Sequence, residues 1–155
     1  MLYRTVPKTG DKLSILGFGC MRYPSKGRGI DEERTIRQIR HAIDSGVNYF
    51  DRAPVYHLGK SEPILAKALD GGYREKVRIA TKLPHWFVSE PEDLDRILCD
   101  QLDTLRTDHI DYYLLHNISK GGLDRLRPLG VFEFLDAAKK DGRIVNAGFS
   151  FHSNR

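Results

Sequence analysis

The chain has 155 residues, 40% hydrophobic and 30% charged, proportions that fit a globular domain with its own core and exclude a disordered chain. No apolar run is long enough to cross a bilayer, and Met1-Leu2-Tyr3-Arg4-Thr5 lacks the charged start and apolar stretch of a secretory signal, so the expected location is cytoplasmic. A net charge of +4 is scattered over 25 basic and 21 acidic residues. With no basic strip carrying interleaved aromatics, this argues against nucleic acid and mildly for an anionic ligand.

The first predicted elements are Leu2 to Val6 and Lys12 to Ser14, a small hairpin, followed by an opening strand at Ile15-Leu16-Gly17-Phe18-Gly19. Asp31 is placed to cap a helix with Glu32 and Glu33 in its first turn, Ile36, Ile39 and Ile43 on one face, and Gly46 at its end. Asn48 to Asp51 reads as a buried strand. Ser61 opens a second helix with Ile64, Leu65, Ala68 and Leu69 inward and Gly71-Gly72 as the stop. Val77 to Lys82 is the next strand. Ser89-Glu90-Pro91-Glu92 then reads as a capping box ahead of a stripe formed by Leu94, Ile97, Leu98, Leu102 and Leu105. Asp111 to His116 is a further strand, a helix runs from about Leu129 to Lys140 and stops at Gly142, and Ile144 to Phe149 is the last strand.

Strands recurring roughly every thirty residues with helices between them describe βαβ units and a parallel sheet. Gly17-Phe18-Gly19-Cys20 is not followed by the glycine pattern of a dinucleotide-binding turn, which favours a barrel over an open doubly wound sheet. A whole (β/α) barrel takes eight strands and about 250 residues. Five strand candidates are found here, so the expected fold is α/β, an incomplete (β/α) barrel with an N-terminal hairpin. Residues 1–155 are expected to form its N-terminal portion with no second domain, and its open edges invite self-association. Cys20 and Cys99 lie far apart in no CxxC pattern and are expected to be reduced thiols.

Chemistry on a (β/α) barrel sits at the C-terminal ends of the strands. Asp51, Lys82, His116 and Ser150 end four predicted strands, and Tyr56 follows Asp51 in its loop. Each alone has an ordinary structural explanation: a turn cap, a solvated ammonium, a satisfied imidazole, a packed phenol. Together they suit proton donation to a carbonyl receiving a hydride. A phenol ionises near 10, too high for neutral pH, and a neighbouring ammonium lowers that value; a drop of roughly three units corresponds to about 4 kcal/mol. Asp51 can hold Lys82 charged, and a neutral His116 can orient the carbonyl oxygen. The hydride requires a nicotinamide or comparable cofactor.

Gly17 to Arg22, Asn48 to Tyr56, Gly59-Lys60-Ser61-Glu62, Ala80-Thr81-Lys82 and Asp108 to His116 resemble, in order, successive signatures of aldo-keto reductases. Arg143 to His152 is most similar to a prokaryotic branch whose longer members add a C-terminal iron–sulfur segment, although no cysteine cluster of that kind is present. The resemblance implies an NAD(P)H-dependent carbonyl oxidoreductase acting on a small carbonyl substrate. It makes Tyr56 the general acid, Lys82 and Asp51 its supporting pair, and His116 the carbonyl-orienting residue. Met21, Arg22, Asp51 and Ser150 become contacts to NADP or NAD. Two positions depart from the pattern: Arg52 stands where Thr or Ser is usual, putting a bulky cation beside the Asp–Lys pair, and Phe151 replaces an asparagine. The family's groove for adenosine and its 2′-phosphate comes mainly from later strands, so this chain alone is expected to bind NADPH weakly or not at all.

Two rival readings stand beside this one. His57, His85, His116 and His152 at or after strand ends allow a metal-dependent hydrolase, but Lys82 among the ligands opposes it and no metal is expected. The second rival is a non-catalytic fragment or binding module of the same fold.

Overall fold

The computed structural model describes residues 1–152, which divide into two compact units, Met1–Ile79 and the residues from Ala80 onward. In the first unit, β1 (Tyr3–Thr5) and β2 (Lys12–Ser14) form an antiparallel hairpin with Arg4 opposite Leu13. The Asn48 side chain fastens it, accepting from the Ser14 amide at 2.7 Å and donating to the Lys12 carbonyl at 2.9 Å. The opening parallel strand, β3, is only Phe18–Gly19; Ile15 and Leu16 precede it and are exposed. A second hairpin, β4 (Ser25–Lys26) with β5 (Gly29–Ile30), follows. Two-residue strands leave no periodicity to read.

Helix α1 (Glu32–Asp44) forms as the sequence indicates, with the Asp31 carboxylate accepting the Arg34 amide. Its buried stripe is Thr35, Ile39 and Ile43, with Ile36 only partly covered, because positions four apart line one face. Full burial of Ile39 and Ile43 is worth about 1.5–3 kcal/mol each. β6 (Tyr49–Asp51) lies parallel to β3, pairing Phe18 with Phe50 and Gly19 with Asp51. α2 (Ser61–Leu69) buries Ile64, Leu65, Ala68 and Leu69, and Gly71 and Gly72 end it at positive φ.

β7 (Arg78–Leu83) begins in the first unit, where the Arg78 amide donates to the Asn48 carbonyl at 2.7 Å. The second unit holds most of β7 with β8 (Ile110–Leu115) and β9 (Ile144–Phe149), all parallel. Five parallel strands alternating with helices make the chain α/β. α3 (Pro91–Leu105) starts one residue later than the sequence reading had it: the cap is Glu90 and its reciprocal partner Asp93, not Ser89 and Glu92. Pro91 takes the first helical position, where its missing N–H costs nothing, and that fixes the register.

α4 (Lys120–Leu126), capped by Ser119, is absent from the sequence reading, because Gly121-Gly122 argues against a helix. The second glycine answers to packing. A Cβ at Gly122 would sit 3.1 Å from Ile118 Cδ1 and 3.2 Å from His85 Cε1. α5 (Val131–Lys140) is preceded by Gly130 in the left-handed region. No helix among the described residues is long and apolar enough to cross a membrane.

Candidate functional site

In the first unit, Asp51 ends β6 and is fixed by its carbonyl, which accepts the Cys20 amide at 2.8 Å. Tyr56 opens a short 3-10 turn, Tyr56–Gly59, its amide bonded to the Ala53 carbonyl. Both side chains are half-buried, while Met21 and Arg22 after β3 are exposed. The two loops are tied together by a bond that sequence reasoning missed. The Tyr23 amide donates to His57 Nε2 at 2.9 Å, and the two rings stack at 5.2 Å and 9°. His57 and Leu58 both take positive φ, 53° and 54°, a conformation costing about 1–2 kcal/mol per non-glycine residue. Such strain persists only where the surroundings over-determine it.

The Arg52 guanidinium is fully buried in an ion pair with Glu62, in the first turn of α2. The guanidinium nonetheless lies within electrostatic reach of Asp51 and Tyr56. Burial lowers the Arg52 pKa to about 9, opposed by electrostatic interaction with Cys20, Tyr23, Tyr56 and Asp51. Beside it, Ser61 Oγ donates to the Cys20 carbonyl at 2.9 Å, and burial raises the Tyr23 phenol well above its ordinary range.

In the second unit, register aligns three of the expected residues. Lys82 pairs with Leu114, and Leu114 with Gly148. The ladder continues one step beyond, the His116 amide donating to the Leu83 carbonyl and the Ser150 amide to the Leu115 carbonyl, each at 2.9 Å. His116 is two residues past Leu114 and Ser150 two past Gly148, so both fall on the Lys82 face. Lys82 and His116 are buried, at 4% and 8% exposure. The opposite face docks α3 through a buried network. Gln101 donates to Thr81 Oγ1 at 3.0 Å and to the Lys82 carbonyl at 3.1 Å, and its oxygen accepts the Tyr113 hydroxyl at 2.9 Å. Trp86, exposed, lies with its ring 5.0 Å from that of His116.

The Ser150 hydroxyl oxygen accepts the Asn117 amide at 2.7 Å, which leaves its own O–H able to donate to a carboxamide. Phe151, 53% exposed, offers no such group. For a metal the imidazoles are badly disposed. Nε2 of His57 is engaged by Tyr23, and Nδ1 of His85 lies 3.1 Å from the Arg125 guanidinium. Burial and Arg125 both lower the His85 pKa. No group of three or more potential ligands gathers for a metal among the described residues.

Comparison with known proteins agrees with the fold. The family model described as "Aldo/keto reductase family" matches residues 15–155. An uncharacterized oxidoreductase, YrpG, of Bacillus subtilis is 32% identical over 97% of this chain and 49% of its own length. The solved aldo-keto reductase AKR11C1 from Bacillus halodurans, in its holo form, is 28% identical with a TM-score of 0.81, over 97% of this chain and 50% of that one. An aldo-keto reductase from Klebsiella pneumoniae in complex with NADPH, 23% identical, shares the fold with a TM-score of 0.80, over 99% of this chain and 51% of that one. The chain thus spans about half the length of these relatives and has the fold of an incomplete barrel of their type.

Proposed function

Because this chain belongs to the aldo-keto reductase family, we propose that it carries the proton-donating machinery of an NAD(P)H-dependent carbonyl oxidoreductase, as the N-terminal portion of a (β/α) barrel. The observation that carries the reading is the common face of Lys82, His116 and Ser150 at three successive strand ends. In this reading Tyr56 donates its phenolic proton to the carbonyl oxygen and His116 orients that oxygen. Lys82 favours the phenolate that remains, and Asp51 keeps the ammonium charged. Ser150 donates to the nicotinamide carboxamide, with Met21, Arg22 and Asp51 as further contacts. When bound, the cofactor supplies the hydride that adds to the carbonyl carbon, so hydride and proton together convert carbonyl to alcohol.

Tyr56→Phe is expected to cut NADPH-dependent carbonyl reduction by about 10²–10⁴-fold with the circular dichroism unchanged; retained turnover would remove Tyr56 from this role. The family resemblance places the adenosine groove mainly on later strands, and the chain spans about half the length of its relatives, so weak NADPH affinity is expected of this chain. A fluorescence titration giving micromolar affinity would contradict that. The half-length match also favours a second reading, a non-catalytic chain of the same fold, which becomes the better one if wild type and Tyr56→Phe are equally inactive.

A further inference from the structure

We infer that Arg52 and Glu62 form a buried charged clamp across the base of the Tyr56 loop, and that Arg52 is a positioning residue for the Tyr56 phenol. The inference rests on the reading of Tyr56 given above. Arg52 follows Asp51 directly, and Glu62 stands in the first turn of α2, ten positions later. Their ion pair therefore joins the two ends of the segment that carries Tyr56. Both partners are buried, Arg52 at 0% and Glu62 at 6% exposure, so neither can exchange its partner for water.

A buried ion pair is poor evidence for stability, because desolvation cancels much of its attraction; its better-attested use is to fix one arrangement among several. This loop has an arrangement that needs fixing. His57 and Leu58 are both held in the left-handed region, and a segment free at either end would relax out of it. The pair is supported by a second tie at the same place, Ser61 Oγ on the Cys20 carbonyl. Besides Glu62, the ionisable groups in electrostatic reach of the guanidinium include Cys20, Tyr23, Asp51 and Tyr56. Two of these belong to the proposed catalytic set, so Arg52 acts on Tyr56 in two ways: it holds the loop's ends and keeps a positive charge within electrostatic reach of the phenol.

The test reads Tyr56 directly and needs no turnover. Tyrosine ring carbons are labelled and followed by NMR across a pH titration, with Tyr56 assigned by the signal lost in Tyr56→Phe. In Arg52→Met/Glu62→Leu, which removes both charges and leaves neither partner stranded, the Tyr56 midpoint is expected to rise and its signal to broaden. In Glu62→Gln, where the guanidinium keeps its charge, the midpoint is expected to fall. Tyr3, on the N-terminal hairpin, is the internal control and should not move. A folded double variant with an unaltered Tyr56 signal and midpoint overturns the proposal, as does a shift of the same sign in both variants. If neither variant folds, the pair is a general folding requirement and the assignment to Tyr56 is overturned. Should Tyr56→Phe keep full carbonyl reduction while the opposite-signed shifts appear, the catalytic reading fails and the clamp stands.

Discussion

Strands β8 and β9 look alike as sequence, yet four of the six residues of β8 are buried and only one of the six in β9. The difference lies in their neighbours. β8 has β7 on one side, β9 on the other and the α3 network behind it, whereas β9 pairs only with β8 among the described residues. Val145, Phe149 and Phe151 are consequently at least half exposed. Phe149 and Phe151 border, with Leu115, Phe132 and Leu135, a groove of about 520 Å³ beside α5. An apolar run thus says that a strand is built to be covered, and only packing says whether it is.

The contrast can be broken first at its strongest point. Ile110→Ala, at a wholly buried position of β8, is expected to cost about 2–5 kcal/mol in denaturant unfolding. Tyr113→Phe strips the hydroxyl from the Gln101 oxygen and leaves a buried acceptor unmet, for a loss of about 1–3 kcal/mol by the same measurement. Asp93 sharpens the comparison through α3, the helix that covers β8. Its hydrogen bond with Arg96, then those with the Ser89 and Glu90 amides, hold its pKa at about 2. A depressed carboxylate stabilises above the unfolded value near 3.9 and stops doing so as pH falls through about 2. Wild-type Tm should therefore drop more steeply than that of Asp93→Asn across this window. At the exposed end of the contrast, Phe149→Ser should change stability by no more than about 0.5 kcal/mol. If the open face drives association, sedimentation velocity will show less dimer in that variant.

Much of this architecture was legible because the relevant signals are local. Asp31 with Glu32 and Glu33 marks the start of α1, and Lys82, His116 and Ser150 stand out as polar endings to apolar strands. What escaped depends on what comes to lie beside what. The glycines of α4 argue against the helix they occupy, and only the approach of Ile118 and His85 explains the second of them. Glu62 passes for an ordinary first-turn acid until α2 sets it against Arg52. His57 reads as a candidate ligand until its Nε2 is seen to accept a backbone amide.

The Gln101 side chain has a mechanical corollary. One amide group grips Thr81, the Lys82 carbonyl and Tyr113 at once, so α3 cannot slide along the sheet without tugging on the backbone of the residue that bears the ammonium. A disturbance on the outer surface of that helix has a route of a single side chain to Lys82.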